Sequence, residues 1–294
     1  MNYVLITPLK DEEKNIHTLK ETVFNQTKRP VCWVIVDSGS EDNTFYLLNE
    51  LAKEYDWIIV TKQKVFFENG YGHLNFSEAI NEGYELLKKT CIDYNIKYSL
   101  IGKTDATPIL SEDYFEILSK EMINDGKLAI TCGIQKLVRN GNEFIIKKSY
   151  NNILSNFNDI RLYRVDFFEK FGGYPLAPSP DTILLIKALN RGWNVKVVNK
   201  TYFRKNRLGG SKIGVWEGSK LKGRYMYILG YHPLIAMLNA FENSRKIPPY
   251  YQFLPMLLGF LLATLKHEEK FHDKEIREYY GKNRLKQIIK YFKR

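Results

Sequence analysis

The chain has 294 residues, enough for one large domain or two smaller ones. Apolar residues make up 44% of the sequence and charged residues 26%, proportions typical of globular proteins, so disordered and low-complexity architectures are excluded. The formal net charge is +11 and it is placed unevenly. Residues 1–200 hold 25 basic and 26 acidic side chains, whereas residues 201–294 hold 19 basic and 7 acidic. An anionic partner is therefore expected for the C-terminal part.

The sequence shows no sign of secretion or of a membrane span. Cys32, Cys91 and Cys132 are too few and too scattered for a disulfide framework or a zinc site, so we expect packing residues in a reducing compartment. Residues 1–8 lack the basic segment and long apolar run of a secretory signal and predict a first strand. No stretch offers the ~20 apolar residues of a spanning helix, so an integral membrane protein is disfavoured and surface contact stays open.

Residues 1–200 alternate short apolar runs with helical patterns, which predicts a mostly parallel sheet covered by helices. The predicted strands are Tyr3–Ile6, Cys32–Val36, Trp57–Val60, Tyr98–Ile101, Leu128–Cys132 and Val195–Val198. Apolar residues three and four apart predict helices at Glu12–Gln26, Asn43–Glu54 and Phe76–Lys89. The fold class is therefore α/β, with a Rossmann-like nucleotide-binding domain over residues 1–200.

Residues 201–294 form a second predicted region, in which helical apolar stretches alternate with basic ones. Phe253–Leu265 is a nearly unbroken apolar run, too short to cross a bilayer. Together with Tyr225–Phe241 it is compatible with a buried helical hairpin, with a helix lying on a membrane surface, or with an oligomer interface.

Three acidic loops, residues 7–15, 37–44 and 103–108, follow predicted strands directly. Ligands bind at the carboxyl ends of strands in such sheets. Each carboxylate has a structural explanation as a cap or turn residue, but acids crowded at one rim repel unless a cation or donor-rich ligand lies among them. P-loop and dinucleotide motifs are missing. A divalent cation shared with a diphosphate, with Asp105 as its ligand, is the common solution that remains.

These segments, in their order and spacing, resemble the family 2 glycosyltransferases of the GT-A fold, which are inverting enzymes that use nucleotide-sugar donors. Val4–Ile16 resembles the opening strand and Pro-x-x-Asn-Glu loop of that family, with Asp11 in the place of Asn. Val36–Thr44 resembles its Asp-Asp-Gly-Ser-x-Asp loop. Ala79-x-Asn81-x-Gly83 matches the small-residue helix after the third strand.

The resemblance implies a donor site at these loops. The residues expected to bind the nucleotide sugar are Thr7, Pro8, Leu9, Glu12, Asp37, Gly39, Asp105 and Arg207. Asp105 corresponds to the Asp-x-Asp motif that binds Mg²⁺ or Mn²⁺, and Thr107 stands where a second acid is usual. The expected metal ligands are therefore Asp105 and Thr107, although a neutral hydroxyl is the weaker ligand for a hard cation.

The expected catalytic base is Asp181. Ser179, Pro180 and Asp181 have a structural explanation as the cap and first turn of a helix. The same segment resembles the family's Gly-Gly-(Phe/Tyr) followed by Glu-Asp, where Asp is the general base, with Pro180 in the place of Glu.

The resulting expectation is an inverting glycosyltransferase that moves a sugar to a glycan hydroxyl or a polyprenyl-linked phosphate acceptor by metal-assisted displacement. Its basic C-terminal part would hold it on the inner face of the cell membrane, in the cytoplasm. The alternatives are a non-catalytic nucleotide-sugar-binding relative and a nucleic-acid binder, for which the basic tail carries no recognised motif. A nucleotidyltransferase would need a Gly-rich loop after the first strand, and Thr7–Asn15 contains no glycine.

Overall fold

The computed structural model describes residues 1–67, 72–139, 142–145, 157–205, 214–246 and 251–283. The chain divides into two compact units. Unit 1 comprises Met1–Leu176 with Pro180–Arg207, and unit 2 comprises Ala177–Ser179 with Leu208–Arg294.

Unit 1 is built on one mixed sheet. Its strands in the described residues are β1 (Tyr3–Leu9), β2 (Trp33–Asp37), β3 (Ile58–Lys62), β4 (Leu100–Lys103), β5 (Ile109–Leu110), β6 (Leu128–Arg139), β7 (Asn142–Ile145), β8 (Arg161–Arg164) and β9 (Asn194–Lys205). The spatial order is β3-β2-β1-β4-β8-β6-β9-β5, and β7 pairs with β6.

Helices cover this sheet in the described part of unit 1. They are α1 (Ile16–Phe24), α2 (Thr44–Glu54), α3 (Gly72–Asp93), α4 (Tyr114–Asn124), α5 (Val165–Lys170) and α6 (Pro180–Asn190). The α/β prediction is thereby confirmed.

The prediction of a mostly parallel sheet holds for one half of it. Strands β3, β2, β1 and β4 are parallel, as the opening pattern of alternating strands and helices predicted. In the other half β6 and β9 also pair in parallel, but β8 runs antiparallel to both β4 and β6, and β5 runs antiparallel to β9. The sequence analysis missed β5, β7 and β8, because a two-residue strand and strands with charged residues lack the apolar run that reveals a buried parallel strand.

The parallel register brings three strand ends to one edge. Leu9 of β1 lies beside Asp37 of β2, and Ile6 of β1 lies beside Lys103 of β4. The loops after β1, β2 and β4 therefore leave the sheet at the same edge, where ligands bind in open α/β sheets.

The core lies on both faces of the sheet. All seven residues of β1 are buried, with alternate side chains in two separate apolar clusters. Gly83 of α3 permits close packing on one face, since a Cβ there would lie 2.8 Å from Val36 Cγ2. Cys32, Cys91 and Cys132 are free and buried. Burial and the neighbouring Cys91 raise the pKa of Cys32 to about 12, so its thiol stays protonated.

Unit 2 is helical over its described residues. It contains α7 (Val215–Ile228), α8 (Pro233–Lys246), α9 (Phe253–Leu265), α10 (Lys274–Glu278) and a π-helical turn at Tyr279–Asn283. Two glycines let α7 and α9 touch through their backbones: a Cβ on Gly223 would lie 1.8 Å from the Met256 oxygen, and one on Gly259 would lie 1.9 Å from the Lys220 oxygen. Among the described helices, none combines the length and apolar character needed to cross a membrane.

The break between α7 and α8 follows from local sequence. Gly230 adopts a φ of 78°, and the amide of Tyr231 donates to the Met226 oxygen over 3.0 Å, which closes the end of α7. His232 Nδ1 accepts the Leu234 amide at 3.3 Å and so caps the start of α8.

Candidate active site

Asp181, the predicted base, lies in the first turn of α6 and is surrounded by donors. Its Oδ1 accepts hydrogen bonds from the hydroxyls of Tyr163, at 3.1 Å, and of Tyr174. Arg161 Nε lies 3.4 Å from the same oxygen, and its Nη1 donates to the Asp181 carbonyl at 2.8 Å. Burial raises the pKa of both phenols and the nearby carboxylate raises it further, so both hydroxyls remain protonated donors.

The loop that carries Tyr174 is held in place by Asn81 of α3. Asn81 Nδ2 donates to the Tyr174 carbonyl at 2.9 Å, and Asn81 Oδ1 accepts the Tyr174 amide at 2.8 Å. Gly173 has a φ of 86°, and a Cβ there would lie 2.7 Å from Asn81 Oδ1. Gly173 and Asn81 thus position the hydroxyl of Tyr174, which donates to Asp181.

Lys103 joins Asp181 to Asp105. It is the last residue of β4, and its side chain is only 3% exposed. Its Nζ lies 3.7 Å from both Asp105 Oδ1 and Asp181 Oδ2. The ammonium group also lies 4.7 Å from the centroid of the Phe76 ring, a favourable cation–π distance. The two acids predicted for donor binding and for catalysis therefore share one buried cation.

A second lysine contacts Asp105 from the last residue of β9. Lys205 Nζ lies 3.0 Å from Asp105 Oδ2 and 2.8 Å from Asp159 Oδ2. Burial alone lowers the pKa of Lys205, but attraction to Asp105 and Asp159 outweighs it and raises the pKa above its ordinary value. Burial raises the pKa of Asp159, and attraction to Lys205 and Lys103 outweighs this and lowers it. Both groups are therefore charged at neutral pH.

The residues around Asp105 do not fit the predicted divalent metal. Thr107 brings a neutral hydroxyl, and the described residues contain no group of three or more His, Cys, Asp and Glu side chains able to hold an ion. Each oxygen of Asp105 already faces an ammonium group, and a doubly charged ion on that carboxylate would be repelled by both. Mg²⁺ and Mn²⁺ prefer carboxylates open to water and phosphate.

The acidic loops after β1 and β2 are linked by hydrogen bonds. The Asp11 amide donates to Ser40 Oγ at 2.9 Å, and the Glu41 amide returns a bond to Asp11 Oδ1 at 2.8 Å. Glu13 Oε2 accepts the Asn43 amide at 3.0 Å. Backbone N–H groups of the neighbouring loop therefore bind two of these crowded carboxylates, those of Asp11 and Glu13.

The predicted nucleotide-contacting residues of these loops differ in burial. Thr7 is fully buried, and its hydroxyl accepts the indole N–H of Trp33 at 2.9 Å, so its side chain is committed to the core. Asp37 is buried at the end of β2, and both its carboxylate oxygens accept the Ser40 amide at 3.3 Å. Gly39 is exposed, with a φ of 79° that favours glycine.

The remaining predicted positions lie close by or outside the described residues. Pro8 and Leu9 are buried at the end of β1, and Glu12 is half-buried with its carboxylate accepting the Asn15 side-chain amide. Arg207, expected to contact the diphosphate, lies outside the described residues.

The sequence analysis did not assign site roles to Lys103, Arg161 or Tyr163. One signal was available, because Lys103 ends an otherwise apolar strand and a lysine at such a buried position needs a charged partner. Arg161 and Tyr163 belong to β8, which lacks a recognisable strand pattern.

Solved nucleotide-sugar enzymes have the same fold. TarS residues 1–349 from S. aureus in complex with UDP aligns with a TM-score of 0.56 and 14% identity, covering 91% of this chain and 82% of that one. The mannosyltransferase PcManGT from Pyrobaculum calidifontis with GDP-Man and Mn²⁺ gives a TM-score of 0.55 and 13% identity over 90% of this chain and 75% of that one. GalNAc-T7 with UDP, GalNAc and Mn²⁺ gives a TM-score of 0.56 and 10% identity, covering 99% of this chain and 58% of that one.

At these identities the likeness shows the fold, and the predicted GT-A fold is confirmed. No protein-family model and no curated protein matches the sequence.

Proposed function

We propose that the chain is an inverting family 2 glycosyltransferase that moves a sugar from a nucleoside-diphosphate sugar to a hydroxyl or lipid-phosphate acceptor. The observation that carries the proposal is the meeting of Asp105 and Asp181 at Lys103, on the carboxyl edge of a GT-A sheet. The hydrogen-bonded loops after β1 and β2 lie at the same edge of the sheet and support a nucleoside site there.

The proposed donor lies along this edge. Its nucleoside contacts the loop residues Asp37 and Gly39, and its diphosphate lies near Asp105. Strands β2 and β4 flank β1, and their last residues align with Leu9 and Ile6, so the two strand ends are roughly 14 Å apart, a distance that a nucleoside diphosphate spans.

Asp181 then receives the proton of the acceptor. Its Oδ1 accepts hydrogen bonds from two phenols, whereas its Oδ2 has the Lys103 ammonium group at 3.7 Å, beyond hydrogen-bond distance, so Oδ2 is the oxygen available to act as base. The acceptor oxygen bonds to the anomeric carbon, the bond from that carbon to the β-phosphate oxygen breaks, and its electron pair stays on that oxygen. Because this is a single displacement, the configuration inverts. A phosphate acceptor arrives already ionised, and Asp181 then orients it.

A metal step is not part of this reaction. PcManGT and GalNAc-T7 contain Mn²⁺, but the donor set around Asp105 in this chain does not match a divalent ion. The metal predicted at Asp105 and Thr107 therefore stays a sequence prediction.

Turnover of a donor panel tests the proposal. UDP-, GDP-, CDP- and dTDP-sugars are incubated with glycan and polyprenyl-phosphate acceptors, and release of the nucleotide is measured. Asp181→Asn is expected to lower turnover at least about a hundredfold. Asp166→Asn, an exposed first-turn acid of α5, is the matched control and should retain turnover within about twofold. Donor binding without turnover would favour the non-catalytic relative, and full turnover in Asp181→Asn would refute the base assignment.

We also propose that unit 2 binds the inner face of an anionic membrane, where a polyprenyl-linked acceptor is found. Helices α8 and α9 each expose an apolar stripe at helical spacing, with every side chain at least 40% exposed: Leu234, Met237, Leu238, Phe241, Leu254, Leu258, Leu261 and Leu265. Arg245 lies 5.7 Å from the Phe241 ring, and Lys266 follows α9 directly. Apolar stripes bordered by basic side chains suit a surface of anionic lipid.

Vesicle flotation tests this part. We expect the protein to float with phosphatidylglycerol-containing vesicles at low salt and to remain behind with pure phosphatidylcholine. Leu258→Ser/Leu261→Ser should lose flotation, whereas Ile92→Ser, which changes an even more exposed apolar side chain of unit 1, should not. Failure of the wild-type protein to float with phosphatidylglycerol-containing vesicles would refute the proposed membrane binding. Nucleic acid is not a proposed partner, and a salt-dependent gel shift would contradict that.

A further inference from the structure

We infer that Lys205 and Lys103 supply the positive charge that the donor's diphosphate requires, in place of a divalent metal. The inference rests on the proposed function. When the bond between the anomeric carbon and the β-phosphate oxygen breaks, a new negative charge develops on that oxygen and must be stabilised.

The charges around Asp105 match this requirement. Two ammonium groups face its two carboxylate oxygens, at 3.0 Å for Lys205 and 3.7 Å for Lys103. Together they bring the formal charge of one divalent cation to the carboxylate on which such a cation would sit. Thr107 adds no negative charge. Asp159 and Asp181 pair with the same two lysines and Arg161 pairs with Asp181, so the three acids and three bases of the cluster are formally balanced without a metal.

Both lysines retain hydrogen-bond capacity. An ammonium group has three N–H donors, and Lys205 uses two of them on Asp105 and Asp159 within the described residues. Lys103 lies 3.7 Å from both Asp105 and Asp181, which is longer than a hydrogen bond, so these ion pairs leave its donors available for phosphate oxygens.

The two cations are fixed and shielded from water. Lys103 ends β4 and Lys205 ends β9, and their side chains are 3% and 8% exposed. Asp159 also holds Lys205, through a second ion pair at 2.8 Å. Charges held on strands in such an environment act more strongly on a nearby phosphate than mobile surface lysines do.

A competing explanation is that the lysines only neutralise buried acids and have a purely structural role. The first experiment is isothermal titration of the wild-type protein with UDP, GDP, CDP and dTDP, in buffer with EDTA and in buffer with Mn²⁺. We expect the nucleotide that binds to have dissociation constants within about twofold in the two buffers. Binding only with Mn²⁺ would overturn the inference and leave the proposed function standing. Failure of all four nucleotides in both buffers would overturn the proposed function as well.

The second experiment separates a diphosphate contact from a structural role. Lys205→Met is expected to weaken binding of that nucleoside diphosphate about tenfold and to leave binding of the bare nucleoside, followed by saturation-transfer NMR, unchanged. Lys196→Met is the matched control: it removes another ion-paired lysine of β9, roughly 30 Å along the strand, and should change neither. Equal losses for nucleoside and diphosphate would show a structural role and refute the inference.

A gain-of-function variant completes the test. Lys205→Met/Thr107→Asp removes one ammonium group and introduces a second acid two positions after Asp105. We expect Mn²⁺ to strengthen diphosphate binding in this variant but not in the wild type. Absence of any Mn²⁺ response in the variant would contradict the view that Lys205 takes the place of the metal.

Discussion

Replacing Asp181 with asparagine is expected to destabilise unit 1 as well as to stop turnover. The substitution keeps the size of the side chain and leaves an oxygen that can still accept from Tyr163 and Tyr174. It removes the negative charge between Lys103 and Arg161, whose side chains are only 3% and 4% exposed. Two buried cations then lose a counter-charge.

The magnitude follows from burial. Removing one partner of a buried ion pair costs about 3–5 kcal/mol. Asp181 is 20% exposed, and Arg161 keeps its hydrogen bonds to two backbone carbonyls, so the lower end, about 3 kcal/mol, is expected. For a unit of this size that corresponds to a fall in Tm of roughly 6–12 °C.

Calorimetry of a double-mutant cycle measures this effect. Lys103→Met/Asp181→Asn removes the carboxylate and one of its two cationic partners and should recover part of the loss, because only Arg161 is then left without its counter-charge. The control Asp166→Asn should change stability by less than about 0.5 kcal/mol. Wild-type Tm in Asp181→Asn, or strictly additive effects in the double variant, would refute the view that this carboxylate neutralises buried cations. Activity of Asp181→Asn is to be measured well below its melting range.

Two further predictions concern stability. The lowered pKa of Asp159, held down against burial by Lys205, means that its stabilising effect is present above the ordinary carboxyl pKa of about 3.9 and is lost as pH falls below that value. Thermal melts between about pH 6 and pH 3 should therefore fall less steeply for Asp159→Asn than for wild type, and identical slopes would contradict this. Gly259→Ala should destabilise unit 2 by about 2 kcal/mol in chemical denaturation, because its Cβ would overlap a carbonyl of α7. The control Gly126→Ala, which has open space around the added Cβ, should leave stability nearly unchanged. Equal stability of the two variants would argue against backbone contact between α7 and α9.

Much of the fold was predictable because its first half is local and periodic. Strands β1, β2 and β4 and the helices between them follow continuous apolar runs and helical spacing, which are visible without tertiary information. The parallel order of such units then follows from handedness and short connections. The other half was predictable only in part: β6 and β9, which pair in parallel, contain apolar runs, whereas β8 has only Leu162 and Tyr163 between two arginines.

The site was predictable in part. Asp105 and Asp181 were singled out from loop position and from a family resemblance, and they lie in one cluster around Lys103. The acids of the first two loops were also singled out, and several of them bind backbone amides of the neighbouring loop. A carboxylate that caps a loop and one that faces a ligand look alike in sequence, because both follow a strand and precede a helix.

The amino-acid order by itself indicated strands β1 to β4, β6 and β9, helices α1 to α3 and the edge of the sheet at which polar loops gather, since these depend on spacing between neighbouring residues. Only the tertiary structure decided that Lys205, a hundred positions from Asp105, would share its carboxylate. Ion pairing between distant side chains depends on strand order and on depth from water, and neither leaves a periodic trace in the chain. That contact changes the expected chemistry of the site from a metal centre to a pair of buried lysines.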